Sequence, residues 1–470
     1  MYDMLIVGAG PAGLFTAYTL SKSNQKYRIA IIDKGKTIDE RKCFSIMQGE
    51  CQECEICAIS HGCGGAGMYS DGKLSMYPAG SGLVEIVKDV NKVKRINEKV
   101  KKDLLEMCEY VGEEAKQPQI CTNNLVDKMA SKGLQTKHYD VLHLGSERIQ
   151  EACRNLENKL KNRNVEFFYQ AEVLQFHKKD DYFIIEYEKR AVKNILFSKK
   201  LIIATGKATG DLLRKISLPN LNLLHSYNEL GVRVEMSKLI MNKLFMYHPD
   251  AKIKLQLENS EVRTFCICVG GYITRCYYDS FKKSGKICTL SGYSLINNQS
   301  DNTNFALLVR PKVKTKEKNI ESRLKIIKEI NNNSEKSVIT QQLNDFIAGR
   351  PSNFQRINGM TINSTLTDLC PGNIKEYLPV DVSDSIIEFF MRLKEVEPEL
   401  SFDEILLHAP VWEHCIDNVV VDEYFQTGIK GMYVIGDTCG WARGIIQAAS
   451  SGIIAAEHIL KETEEKYEDR

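Results

Sequence analysis

The chain carries almost no net charge, few tryptophans and no long apolar run. Lys and Arg number 63 against 61 Asp and Glu, a formal net charge of +2, which gives no electrostatic reason to expect nucleic acid as a partner. No apolar run approaches the roughly 20 residues of a membrane span. The stretches "LIIATG" and "GIIQAASSGIIAAEHIL" come nearest, and both are short or broken by polar residues. No basic region precedes "MYDMLIVGAG", so a secretory leader is not expected. Internal repeats and low-complexity linkers are absent, and "KTKEKN" and "INNNSEKS" read as solvated helix ends and loops. Cysteine is not scarce. Fifteen of them, an odd number in a chain too large to need stapling, point to a reduced, cytoplasmic setting rather than a disulfide framework.

What is present is a globular composition, 43% apolar and 26% charged, in 470 residues, long enough for two domains. The N-terminus reads "MLIVGAGPAGLFTAYTL", an apolar run of strand length followed by a glycine-rich turn and a helix. Gly8, Gly10 and Gly13 form G-x-G-x-x-G, with Pro11 and Ala12 in the first helical turn. Gly8 makes the tight turn, Gly10 lets a pyrophosphate approach the backbone, and Gly13 lets helix and strand pack closely. A second strand, "YRIAIID", ends at Asp33, placed to accept a ribose hydroxyl, with Lys34 beside it. This half of the pattern suits FAD or NAD equally.

The far end of the chain discriminates. "KGMYVIGDTCGWARGIIQAASSGIIAAEHIL" supplies a strand, Gly436 and Asp437, a glycine-bearing turn, and a small-residue helix starting near Gly444 and Ile445. This resembles the closing FAD motif of glutathione-reductase-like flavoproteins. The resemblance implies that Asp437 binds the ribityl chain and that the helix N-terminus faces the flavin pyrimidine, where it favours negative charge. "KKLIIATGKATGDLL" resembles the point where the chain leaves the FAD domain in those proteins, which adds Thr205, Gly206 and, from the preceding strands, Val173 to the seat. Asp211 is expected to cap the next helix.

"GCGGAGMYSDGKLS", "LHLGSERI", "NELGVRVE", "VRTFCICVGGYI" and "GMYVIGD" together resemble a bacterial family of FAD-dependent dehydrogenases or oxidoreductases over nearly the whole chain. The resemblance implies an α/β fold. A discontinuous, Rossmann-type FAD domain over residues 1–222 and 355–470 would carry an inserted α+β substrate domain over 223–354. It further implies that the loop Gly64, Gly65, Ala66 and Gly67 brings backbone N–H groups to the FAD, with Ser70 and Asp71 near it. Three departures stand close to the expected meeting of flavin and substrate: "GKATGD" has Lys207 and Gly210 where the family has His and Arg, Val269 replaces a Pro, and Cys439 occupies the closing turn.

Between seat and loop stands "CQECEICAISHGCGG". Cys51, Cys54 and Cys57 have the C-x2-C-x2-C spacing of cluster-binding loops, with Cys43 ahead and Cys63 behind. Four of the five would hold a [4Fe–4S] cluster that wires the flavin to a ferredoxin-like electron donor. Zinc, a redox dithiol and free thiols are the other readings of the same residues. Candidate proton donors are His61, Lys207, His225, His408 and His414, and Arg443 is a candidate for a substrate carboxylate or a helix cap. Cys266 and Cys268, alternating in an apolar strand, read as small core fillers. "VWEHC" could wall a substrate pocket with its tryptophan.

No second G-x-G-x-x-G follows a strand in the middle region, so NAD(P)H has no dedicated domain and would dock directly if at all. The expected function is FAD-dependent oxidoreduction of a small organic molecule. A prenyl-chain reductase and a flavin-carrying redox sensor without turnover are the alternatives.

Overall fold

In the computed structural model the described residues are 1–110, 123–207, 212–213, 223–224, 228–245, 248, 250–279, 285–312, 318–414 and 418–468. His225, Gly210 and Asp211, named above, lie outside them, as does the side chain of His414.

Two seven-stranded sheets organise the chain. In the first, the strand Tyr2–Val7 is paired in parallel with Ile29–Ile32 on one side and Val192–Ile203 on the other. Glu166–Phe168 extends the parallel set beyond Ile29–Ile32. Both faces are covered, so the strands read as unbroken apolar runs, and Leu5, Ile6, Ala30 and Ile32 are fully buried. The long strand Val192–Ile203 changes partners along its length. Its polar first half, "VKNILFS", pairs antiparallel with Tyr182–Lys189, and its apolar end "LII" lies between Tyr2–Val7 and Met432–Val434. The sequence changes from alternating to continuous burial where the neighbours change.

The helix Pro11–Ser21 starts at Gly10 with Pro in its first turn and packs along the closing helix Ile445–Glu468. Small residues permit the crossing. A Cβ on Gly452 would stand 2.3 Å from the Ala12 carbonyl oxygen, and one on Gly436 would stand 2.8 Å from the Ala12 Cβ.

The second sheet is wholly antiparallel, in the order Ile339–Gln342, Ile405–His414, Asn228–Ser237, Asn302–Pro311, Ser260–Val269, Lys252–Gln256, Leu134–Lys137. Its composition differs from the expected insertion at 223–354. Leu134–Lys137 joins one edge from the expected first FAD segment, and Ile405–His414 joins from the expected second. The reason is burial. Nearly every residue of Asn228–Ser237 is buried, so this strand needs a partner on both sides, and Ile405–His414 is the second one. The helix Val380–Val396 then covers the sheet with Phe389, Phe390 and Leu393. A two-stranded ribbon, Tyr272–Asp279 with Lys286–Tyr293, stands beside it. No helix among the described residues is long and apolar enough to cross a membrane.

Gly452→Ala tests the helix crossing. The methyl group must displace backbone, so the substitution should destabilise the fold by about 1–3 kcal/mol, read as a lowered urea midpoint at unchanged slope.

Candidate functional site

A cavity of about 1080 Å³ runs from the first sheet to the face of the second. That is at the upper end of small-molecule sites, room for a dinucleotide with a substrate beside it. Gly8, Gly10, Pro11, Ala12, Asp33, Lys34, Gly65, Ala66, Gly67, Ser70, Asp71, Val173, Thr205, Gly206, Gly436, Asp437, Gly444 and Ile445 all line it, as the sequence motifs require. Gly13 and Gly64 do not. A Cβ on Gly13 would stand 2.0 Å from the Gly8 carbonyl oxygen, so this glycine serves helix–strand packing alone. Gly64, at φ +84°, donates its N–H to the Ala9 carbonyl at 2.8 Å and fastens the glycine loop onto the first turn.

The residues present fit FAD. A Cβ on Gly10 would meet nothing closer than the Gly65 Cα at 3.8 Å, so the turn stays open toward the cavity. No side chain caps the helix that follows, which leaves its first N–H groups to an anion. Asp33 accepts from the Ala9 N–H and the Gly35 N–H, both at 2.8 Å, and is thereby fixed at the end of its strand facing the ribose position.

At the other end the walls are charged. Lys207 contacts Glu413 and lies 3.9 Å from Asp437. Arg443 reaches Glu413 at 2.9 Å and Asp437 at 3.3 Å. Burial alone would raise the Glu413 carboxyl, but Lys207 and Arg443 outweigh it and hold its pKa below the usual range. Behind them, fully buried Glu229 takes both Arg263 and Arg310, whose attraction overcomes burial and lowers its pKa to about 2. Arg263, Arg310, Phe265, Tyr278 and Trp412 line this end of the cavity, so the tryptophan does wall the pocket.

The candidate proton donors separate. Lys207 and His61 line the cavity, and His61 Nδ1 is 2.8 Å from Ser60 Oγ. His408 does not. It is buried in the second sheet, 3.2 Å from Glu235 and 2.9 Å from Thr340, a structural position.

The cysteine-rich loop differs most from expectation. Among the described residues the one group of three or more candidate ligands with donor atoms within 4.8 Å of one another is Asp71, Cys266 and Cys268. Cys43, Cys51, Cys54, Cys57 and Cys63 form no such group, although Cys57 lies near enough to Cys43 and Cys51 to raise their pKa values. Cys63 is buried against Cys153, Glu157 and Tyr169, and burial pushes its pKa well up. Cys57 instead lies against the ribbon, where its sulfur accepts the Tyr277 N–H at 3.5 Å and pairs with Cys276. The Cys54 carbonyl accepts Lys286 Nζ at 2.8 Å and Tyr277 donates to Glu53 at 3.0 Å, which holds the loop along the ribbon rather than wrapped on itself. The five cysteines therefore outline no zinc site.

Sequence reasoning missed Arg263, Lys73, Asp250 and Tyr139, which line the cavity, and Glu229 behind them. The signal available was charge inside apolar strands, as in "NELGVRVE". Cys266, expected as a small core filler, lines the cavity.

Residues 2–237 match the family described as pyridine nucleotide-disulphide oxidoreductase, and residues 228–410 match "FAD-dependent protein, C-terminal domain-like". An uncharacterized protein of Clostridium beijerinckii is 24% identical over 493 residues, which covers 97% of this chain and 80% of the relative. Among solved structures, a flavoprotein/dehydrogenase from Cytophaga hutchinsonii aligns with a TM-score of 0.40 at 9% identity, over 98% of this chain and 79% of that one. Pyridoxine 4-oxidase from Mesorbium loti aligns with a TM-score of 0.43 at 12% identity, over 98% and 99%.

Gly10→Val should abolish FAD retention with little loss of fold, because its side chain enters the pyrophosphate position and its Cβ comes no closer to backbone than 3.8 Å from the Gly65 Cα. Absorbance of the purified protein, set beside its circular dichroism, reads the two effects apart. Glu229 sets an acid limit. Its folded pKa of about 2 lies below the ordinary 4.5, so its contribution is present above pH 4.5 and is lost as pH falls toward 2. At neutral pH it amounts to about 3 kcal/mol. The stability difference between wild type and Glu229→Gln, from urea titrations across pH, should be full at pH 7 and shrink through that window.

Proposed function

Because the chain belongs to the pyridine nucleotide-disulphide oxidoreductase family and is an FAD-dependent oxidoreductase, we propose that it oxidises or reduces a small organic molecule held between the flavin seat and the second sheet. The observation that carries this reading is the continuity of one cavity from Asp33 to Trp412 and Glu413. Bound FAD supplies the two-electron chemistry. The chain supplies binding, orientation and exclusion of water. Phe265, Tyr278, Val411 and Trp412 give an apolar wall for the carbon skeleton, while Lys207, Arg263 and Arg443 fix a polar group at the charged end. Mutual ion pairs hold these charges in place before the substrate arrives, so little reorganisation is needed.

The reducing partner is a low-potential, ferredoxin-like donor protein. What supports this is the second sheet, which is antiparallel throughout, so that no second nucleotide-type parallel sheet stands among the described residues.

Anaerobic stopped-flow experiments test both statements. NADH and NADPH should reduce the flavin slowly and without saturation, whereas a reduced ferredoxin should do so quickly; rapid, saturable reduction by either nucleotide would sink the donor assignment. The photoreduced protein should be reoxidised with saturation by small carbonyl, quinone or conjugated-alkene acceptors, and Trp412→Ala should raise the half-saturating concentration. Reoxidation by dioxygen alone, indifferent to every acceptor, would mean a sensor without turnover.

A further inference from the structure

The strand Ser260–Val269 contains one extra residue opposite its neighbour. Phe265 faces Ala306 and Cys268 faces Asn304, so three steps on one strand match two on the other. The bulge holds Cys266 at φ +49°, a backbone conformation that side-chain-bearing residues seldom adopt. Its effect is to bring the Cys266 and Cys268 sulfurs to 3.9 Å. Cys266 lines the cavity, whereas Cys268 is fully buried behind it.

Two cations serve this pair. Arg233, itself buried, places Nη2 3.4 Å from Cys268 Sγ and 3.0 Å from the Cys266 carbonyl oxygen. Room for it is made by Gly292, where a Cβ would stand 1.7 Å from Nη2. Lys73 sits 2.5 Å from Asp71 Oδ2, and that oxygen lies 3.7 Å from Cys266 Sγ and 3.9 Å from Cys268 Sγ. A divalent metal on Asp71, Cys266 and Cys268 would share the space with both cations, which disfavours it. The same cations favour a thiolate. The hydrogen bond from Cys268, aided by Arg233 and Lys73 against burial and Asp71, lowers the Cys266 pKa to about 7 and leaves the Cys268 thiol well above its ordinary value.

We propose that Cys266 and Cys268 form a hydroperoxide-reducing thiol pair in the cavity wall, with Cys266 as the attacking sulfur and Cys268 as the resolving one. The Cys266 thiolate attacks one oxygen of the peroxide. An S–O bond forms, the O–O bond breaks, and the other oxygen leaves as water or an alcohol after taking a proton. The Cys268 sulfur then attacks Cys266 Sγ. An S–S bond forms, the S–O bond breaks, and hydroxide leaves as water with the Cys268 proton, which Asp71 is placed to pass. One peroxide is reduced by two electrons, and two thiols become one disulfide. The small separation makes closure local, and the neighbouring cations lower the barrier to the first attack.

The test uses the flavin-containing protein and hydrogen peroxide, with the flavin followed by absorbance so that its loss is seen separately. One equivalent of peroxide should yield a Cys266–Cys268 disulfide, found by alkylation and mass spectrometry, with the other thiols still free. Cys268→Ser should instead leave a dimedone-reactive sulfenic acid on Cys266, and Cys266→Ser should abolish both products. Alkylation of Cys266 by iodoacetamide should be half-maximal near pH 7 in the wild type and in Cys268→Ser, which keeps a hydrogen-bond donor, and should shift upward in Cys268→Ala. Peroxide that oxidises Cys57 first, or oxidises Cys266 with no link to Cys268, would overturn the proposal. So would stoichiometric zinc protecting both thiols.

Discussion

Everything in the first domain depends on backbone passing close to backbone where three distant pieces of chain meet. A Cβ on Gly8 would lie 2.3 Å from the Ala204 carbonyl oxygen, one on Gly13 would lie 2.0 Å from Gly8, and one on Gly452 would lie 2.3 Å from Ala12. These contacts join the N-terminal turn, the end of the long strand and the closing helix. Because the side chains are missing there, the helix Pro11–Ser21 can sit low on the sheet with its uncapped N-terminus at the cavity edge. The anion seat is therefore a consequence of packing. The same glycines that close the core leave backbone N–H groups as the surface a pyrophosphate would meet.

The second constraint is electrostatic. The cavity joins two sheets, and its charged end puts ionic groups where water is scarce. Buried charge is tolerated only when paired, and here it is paired across elements. Glu229 on one strand binds Arg263 and Arg310 on two others, and Glu413 binds Lys207 from the first domain and Arg443 from the closing turn. Asp250 and Asp71 likewise share Lys73. Each network ties the second sheet to itself or to the dinucleotide domain. The site is thus rigid at its polar end for the same reason that the two sheets stay together.

Legibility in the sequence followed the range of the interaction. The glycine-rich turn, Asp33 and the closing Gly436–Asp437 turn are local patterns, and Gly8, Gly10, Pro11, Ala12, Asp33, Gly436 and Asp437 line the cavity while Ala9 and Gly13 do not. The makeup of the second sheet was not legible, because Leu134–Lys137 and Ile405–His414 carry no mark of which strand they will join. That pairing is set by the demand of a buried central strand for two neighbours. Charged residues such as Arg233 and Glu229 within apolar strands were visible as exceptions, yet their partners are far along the chain, so their roles emerge only in three dimensions.

The cysteines show the difference most plainly. Three-residue spacing made Cys51, Cys54 and Cys57 look like ligands, but spacing constrains sulfur positions only when the loop folds on itself. This loop is held out along the ribbon by Tyr277 and Lys286, and the Cys57 sulfur takes the Tyr277 N–H. Cys266 and Cys268 had the less suggestive spacing, since alternate residues of a regular strand merely share a face. One inserted residue changes that, because the bulge turns a shared face into a shared contact. Acidity alone does not rank the thiols either. Cys57 is lowered to about 5 by its bond with Cys276, further than Cys266 at about 7, but it lies against the ribbon and does not line the cavity. A thiolate held that firmly by hydrogen bonds is a weaker nucleophile, since nucleophilicity falls with pKa. Access to the cavity, a second sulfur within reach and a pKa near neutrality coincide at Cys266, and that coincidence is a property of the fold.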